Sequence, residues 1–441
     1  MRRFFRTALI QRFIQSCREE GLRSAARKAR IYIAMRLRGL APSGTAALGH
    51  DTAMHRDHMY LGKVWQTLAQ KEAFHISPAP AVLRQRRKIA LIADMNLPQC
   101  RKYRVEQLAG FWETQGVDVG YAHYQDVPRC VSVLQDATHL MEYRLQNTPV
   151  TSMYRYEAHR LRLPILYDLD DPLFSVSAYE TYQNMSALPA SMKLHFLSEA
   201  PRYLDMMNGA DLITVSTPGM AQHTRLYTRR PVHIRRNFAD ALTLEAGAQA
   251  QAAAGAAKRQ DGVFRLAFAS GSQGHEADFA IIQEQVSAFL AAAPQRRLMI
   301  LGHFDTDFLP TDLQKQVETH PFTTYARYLE TLALADCAIM PLANDIFNSC
   351  KSAVRVIDAA SVGVPSIAGT VSDMAHVIRA GETGLIADEP EAWTTAFEQL
   401  ARDPDTARKM GNAARADLET RWSGQPEDHI ISPEILHWVK G

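Results

Sequence analysis

Short apolar runs punctuate this chain at regular intervals, and the segments between them carry helical periodicity. Residues 88–93 read KIALIA, and comparable runs fall at 117–121, 138–142, 165–168, 211–216 and 231–234. A second series begins at Phe264 and continues at 297–301, 335–341, 366–368 and 381–386. Strands apolar on both faces are buried on both, as in a parallel sheet covered by helices. Their alternation with helices predicts a doubly wound α/β architecture, and two series predict two such domains. Between them, residues 241–261 turn to Ala, Gln and Gly, which reads as either a solvated helix or a hinge. The predicted division is 61–240, the linker 241–261, 262–422, and a tail over 423–441.

The stretch at 347–369, FNSCKSAVRVIDAASVGVPSIAG, is the most informative. It predicts one helix followed by a short buried strand. Asn348 or Ser349 can cap the first turn by accepting from an orphan backbone N–H. Lys351, Arg355 and Asp358 then stand at i, i+4 and i+7 and share a face. Ala353, Val354, Ile357 and Ala360 supply the packing sides. Gly363 ends the helix, and Pro365 opens the strand. A helix N-terminus beside the carboxyl end of a strand is a phosphate seat, and two cations there strengthen it. The plainer reading leaves Lys351 and Arg355 as solvated charges, with Asp358 paired to one of them.

Other loops at predicted sheet edges carry polar chemistry. After KIALIA come Asn96, Arg101, Lys102, Tyr103 and Arg104, which suit an anionic acceptor or the phosphates of a donor. Alternatively, Tyr103 and Arg104 begin a helix and only pack. The segment ILYDLDDPLF sets Asp168, Asp170 and Asp171 at a strand end. Such acids can ligate a divalent metal, line an acceptor cleft, pin the next loop, or act as a base. In RLAFASGSQGHEADF, Gly271 permits close backbone approach. Ser270, Ser272 and nearby N–H groups can hold a phosphate oxygen, and His275 reaches the same space. A turn with packing duties alone is the competing reading.

Totals narrow the classes. A chain of 441 residues, 46% hydrophobic and 22% charged, suits two or more domains with full cores. A net charge of +2 gives no case for nucleic-acid binding. Five cysteines without a CxxC pair argue for a reducing compartment and against a zinc site. No apolar run reaches the roughly 18 residues of a membrane span. Residues 1–40 hold eleven Lys or Arg against Glu19 and Glu20. There Leu22, Ala25, Ala26, Ala29, Tyr32, Ile33 and Leu37 form one stripe, with Arg23, Arg27, Arg30 and Arg38 mostly opposite. Residues 1–60 thus read as a basic amphipathic helical extension and linker. It suits either an anionic membrane surface or packing on its own protein or a partner.

The motif at 347–365 resembles the donor-binding helix of GT-B glycosyltransferases of the retaining group 1 class. That class often shows an acid, seven residues, a second acid, then A-x-x-x-G-x-P. Asp358 falls at the second acid and is followed by AASVGVP, while Cys350 stands at the first. A subset with F-N-x-x-K-S-x-x-K-x-x-E matches at Phe347, Asn348, Lys351 and Ser352, with Arg355 and Asp358 as conservative changes. Its SG-x-x-x-H-x-x-DF form matches at Ser270, Gly271, His275, Asp278 and Phe279.

The resemblance implies two Rossmann-like domains facing a cleft, the last helix crossing back to the first. It implies transfer of a sugar from a nucleotide sugar to a glycan or lipid-linked glycan, with retention, in bacterial surface polysaccharide synthesis. No cofactor or metal is expected beyond the co-substrate, because such enzymes show a similar Y-D-x-D-D without a catalytic metal. Lys351, Arg355 and Asp358 take the catalytic roles. Gly271, Ser272, His275, Asn348 and Ser352 take the donor. Asn96, Arg101, Tyr103, Arg104, Asp168 and Asp170 lie on the acceptor side. The expected location is the cytoplasm, with peripheral contact at the inner face of the membrane. A sugar-nucleotide epimerase of the same fold, needing no acceptor, and a non-catalytic nucleotide-sugar-binding partner, suggested by Cys350, remain the other classes.

Overall fold

The computed structural model describes residues 86–441 apart from 272–274, 305–309, 312 and 426–429, with scattered helical positions between 13 and 33. The chain divides into two compact units, Met1–Lys71 and Glu72–Gly441. In the first, Leu22, Ala25, Ala26, Ala29 and Ile33 are helical. Ala25 is buried, whereas Leu22 and Ile33 are exposed. Phe13, Ile14, Cys17, Arg23 and Arg30 are helical too, with both arginines exposed, and the remaining residues of the expected basic extension lie outside the described residues.

The second unit contains two six-stranded sheets. The first comprises β1 (Lys88–Ala93), β2 (Asp118–His123), β3 (His139–Tyr143), β4 (Ile165–Leu169), β5 (Leu212–Val215) and β6 (Val232–Ile234), in the order β2-β1-β3-β4-β5-β6. The second comprises β7 (Phe264–Gly271), β8 (Arg296–Gly302), β9 (Val317–His320), β10 (Cys337–Met340), β11 (Ser366–Ala368) and β12 (Gly384–Ile386), in the order β12-β11-β10-β7-β8-β9. Neighbouring strands pair in parallel throughout. The central strands are apolar on both faces because helices cover both; Ile89 to Ala93 are each at most 1% exposed. β9, with sequence VETH, lay outside the predicted set. As an edge strand it need not bury both faces.

Each sheet has a point where the strand order reverses, between β1 and β3 in the first and between β7 and β10 in the second. Crevices outside the carboxyl ends of such strands are where open α/β sheets bind ligands. The loops after β1 and β3, and those after β7 and β10, therefore supply the site residues.

The linker is a packed helix, Ala241–Asp261. Asp240 caps it by accepting from Thr243 N, and Gly262 closes it with φ 62°. Ala250 and Ala254 are buried. A Cβ on Gly247 would stand 2.3 Å from the Ser361 carbonyl oxygen, so glycine permits this close crossing. The final helix, Pro433–Lys440, returns to the first sheet. The Trp438 ring lies 4.8 Å from that of His139, and Arg87 Nε donates to the Lys440 carbonyl at 3.3 Å.

Candidate functional site

The predicted single helix at 347 is two. Ile346–Ser349 is capped by Asp345, whose carboxylate accepts from Asn348 N at 2.8 Å. Val354–Ser361 begins anew, and Ala353 provides no side-chain cap. Neither Asn348 nor Ser349 therefore caps, and Lys351 stands in the break instead of sharing a helical face with Arg355 and Asp358. Two backbone acceptors explain the break. The Cys350 carbonyl accepts from Thr217 Oγ1 at 3.0 Å, and the Lys351 carbonyl from Asp373 N at 3.4 Å. Both are thereby satisfied without continuing the helix. The far end follows the expectation: Gly363 has φ 67°, and Gly363 N and Val364 N return to the carbonyls of Ala360 and Ala359.

Lys351 and Arg355 are both half-buried, and no described acid pairs with either. Lys351 Nζ stands 5.5 Å from the Tyr182 ring centroid and 5.6 Å from that of Phe347. Arg355 Nη1 is buried without a partner. A guanidinium nitrogen left so is costly unless a ligand completes it. Ser352 Oγ accepts from Asn237 Nδ2 at 3.0 Å, which joins this loop to the first domain.

Asp358 has different company. It is 4% exposed, and its Oδ1 accepts from Tyr325 Oη at 2.7 Å and from Tyr103 Oη across the domain interface. Lys102 Nζ lies 3.9 Å and 4.0 Å from the ring centroids of Tyr103 and Tyr325 and donates to Thr243 Oγ1 at 2.7 Å. Burial raises the Asp358 carboxyl above its ordinary value, against the pull of the Lys102 charge.

A second cluster gathers around Asp278, which is fully buried. Its Oδ2 accepts from His275 Nδ1 and from Asn184 Nδ2, each at 2.8 Å. Its Oδ1 accepts from Asn348 Nδ2 at 2.8 Å and Ala343 N at 2.9 Å. Burial alone would raise this carboxyl, but the bonds it accepts bring it down to about 2. Burial, then the charges of Arg355 and Lys351, push His275 down to about 3. The structure thus brings His275, Asn348, Lys351 and Arg355 together after β7 and β10. Gly271 ends β7, and Ser272 lies outside the described residues.

On the first domain the expected acceptor residues divide. Asn96 is exposed beyond β1, with Oδ1 3.2 Å from His123 Nε2. Arg101 is exposed and pairs with Glu106 at 2.6 Å. That bond spans i to i+5, consistent with the π-helical turn Arg101–Glu106 that precedes the helix Gln107–Thr114. Tyr103 is buried against Asp358. Arg104 and Asp168, expected on the acceptor side, are instead an internal ion pair. They are 0% and 1% exposed, with Arg104 Nε 2.9 Å from Asp168 Oδ2. Arg235 Nη2 adds a second cation at 3.4 Å and Thr214 Oγ1 donates to the same carboxylate at 2.6 Å. Those bonds engage both oxygens of Asp168 inside the first domain. Asp170 accepts from Tyr143 Oη at 2.8 Å and, with Asp171, from Arg144 Nη1 at 3.4 and 3.3 Å.

Arg144, Asn184 and Asp278 escaped the sequence reading as site residues. Asp278 alone left a local signal, at i+3 from His275. Arg144 sits just past β3 with φ 56°, a conformation no side-chain pattern announces.

Comparison with known proteins agrees with this geometry. Residues 266–403 match the family described as glycosyl transferases group 1. A segment of 105 residues, 23% of each chain, is 35% identical to the D-inositol 3-phosphate glycosyltransferase of Pseudarthrobacter chlorophenolicus. Another of 142 residues is 28% identical to a GDP-mannose-dependent monoacylated alpha-(1-6)-phosphatidylinositol monomannoside mannosyltransferase of Corynebacterium glutamicum, covering 30% of this chain and 37% of that one. The chain thus matches about a quarter to a third of the length of these curated relatives. The solved structure of sucrose-phosphate synthase from Thermosynechococcus elongatus superposes with a TM-score of 0.52 at 15% identity, over 77% of this chain and 95% of that one. Two facing doubly wound domains of this kind make the GT-B fold, and residues 266–403 of the second are similar to the group 1 glycosyltransferase family.

Proposed function

We propose that the protein transfers a sugar, with retention of configuration, from a nucleotide-sugar donor to a glycan or lipid-linked glycan in bacterial surface polysaccharide synthesis. The observation that carries this reading is the pair Lys351 and Arg355. Both lie beside the uncapped start of Val354–Ser361, lack described carboxylate partners, and face a site where strand order reverses. A diphosphate leaving group develops charge as the glycosidic bond breaks, and preorganised cations and N–H groups stabilise it. Asn348 and Ser352 flank that seat, and Gly271 lets the backbone approach. The acceptor would approach from Asn96 and Asp170. Closure of the domains excludes water and aligns the reactants. The similarity to a D-inositol 3-phosphate glycosyltransferase and to a phosphatidylinositol monomannoside mannosyltransferase supports sugar transfer to a glycan or lipid-linked acceptor.

Tyr103 and Tyr325 both bond Asp358 Oδ1, which leaves Oδ2 to accept a donor hydroxyl in this reading. The basic stripe of residues 1–40 suits peripheral contact with an anionic membrane face. The test is Lys351→Ala with Arg355→Ala, read by calorimetric titration with UDP and GDP. Two charge-assisted hydrogen bonds at about 1.5–3 kcal/mol each predict at least a hundredfold loss of diphosphate affinity. Unchanged affinity would remove the phosphate seat from Lys351 and Arg355.

A further inference from the structure

The Asp278 carboxylate accepts four hydrogen bonds, from His275, Asn184, Asn348 and Ala343. A carboxylate saturated with donors is ionised and has no proton to give. His275 must therefore be the donor in their 2.8 Å contact, which places a proton on Nδ1. In a neutral imidazole the other nitrogen is then a bare acceptor. No described residue donates to Nε2. The cations that bear on this ring are Arg355 and Lys351, and the acid is Asp278. Two positive charges and burial oppose a second proton, so the ring stays neutral at ordinary pH.

That assignment changes what His275 can do. A bare Nε2 cannot donate to a phosphate oxygen, which offers only lone pairs. It can accept from a hydroxyl. Beside Lys351 and Arg355, the fitting ligand has an anionic group for the cations and a neighbouring O–H for the imidazole. A nucleoside diphosphate carrying a sugar has both, whereas for the bare diphosphate the imidazole adds nothing. We propose that His275 is a specificity-determining residue, accepting a hydrogen bond from a sugar hydroxyl of the donor, and that Asp278 is the positioning residue that fixes its tautomer. Asn184, delivered from the first domain and 7% exposed, completes the set that holds Asp278. This inference rests on the donor reading above and refines it.

The experiment compares UDP with UDP-glucose, and GDP with GDP-mannose, by calorimetric titration of the full chain and of His275→Ala. The expected result is a preference for the nucleotide sugar that shrinks about three- to tenfold in the variant, the worth of one hydrogen bond. Diphosphate affinity itself should stay within about twofold. Titrations in buffers of different ionisation heat should show no proton uptake at pH 7. A parallel loss of diphosphate affinity, or uptake of about one proton, would overturn the proposal, since either means that a charged His275 grips phosphate.

Nitrogen-15 NMR of the ligand-free protein supplies a readout independent of any nucleotide. His275 should be neutral with its proton on Nδ1 from pH 5 to 8, and Asp278→Asn should disturb that tautomer. A charged ring or an Nε2 proton in the unaltered protein refutes the assignment. Failure of all four ligands to bind the unaltered protein would instead sink the donor reading, and the NMR result would then decide the tautomer by itself.

Discussion

Replacing Asp168 by Asn isolates a fully buried electrostatic commitment in the first domain. The side chain is nearly isosteric and can still accept from Thr214, but the negative charge is lost. Arg104 and Arg235 are 0% and 1% exposed, so neither can turn to water for compensation. The balance is already one carboxylate against two guanidinium groups. Burial and the neighbouring Arg104 charge push Arg235 down to about 9. Removing one member of a buried pair costs about 3–5 kcal/mol, because the partner is left desolvated and unmatched. Taking about 4 kcal/mol, the folding equilibrium shifts by nearly a thousandfold. For a domain of this size the melting temperature should fall by about 8–16 °C. Circular dichroism melts and urea titration of Asp168→Asn measure this directly. The double substitution Asp168→Leu with Arg104→Met should recover part of the loss, since an apolar pair of similar volume removes one buried charge of each sign. A variant melting within about 2 °C of the parent while losing acceptor turnover would refute the argument and return Asp168 to the substrate cleft.

Two further outcomes follow from the same structure. Tyr103→Phe removes one of the two phenolic donors to Asp358 and should weaken the interdomain contact by about 0.5–1.5 kcal/mol; small-angle scattering should show a more open average, and an unchanged profile would count against the contact as a latch. His275 is held below its ordinary range, at about 3, whereas an unfolded chain would titrate it near 6.5. The unfolded state therefore binds the extra proton first, and stability contributed by the neutral ring is present above about pH 6.5 and lost as pH falls toward 3. His275→Gln should show a shallower loss of stability between pH 6.5 and 4, and parallel curves for the two proteins would contradict the shift.

Much of this architecture was readable in one dimension. β1 and β11 fall where their apolar runs lie, and Gly363 ends its helix where the pattern places that end. Such features are local: burial on both faces demands apolar residues, and a helix end of this kind favours glycine. β9 escaped because VETH at an edge carries no apolar run. The break before Val354 escaped because Thr217 and Asp373 cause it, and they are distant in sequence. For the same reason Arg104 looked available, since its carboxylate stands 64 residues away. Asp278 shows a limit of another kind. Its spacing from His275 was visible, but its tie to Asn348 spans 70 residues of the second domain and its tie to Asn184 depends on how the domains meet.

The return of Pro433–Lys440 to the first sheet has a consequence for how the molecule is made. Trp438 and Lys440 complete contacts with His139 and Arg87 that the first domain cannot form by itself. During synthesis that domain's strands emerge by Ile234, yet the helix that covers them arrives some 200 residues later. At about 5–20 residues per second, the interval is roughly 10–40 s. For that time the nascent protein exposes an apolar surface on the ribosome, where chaperones or misfolding compete for it.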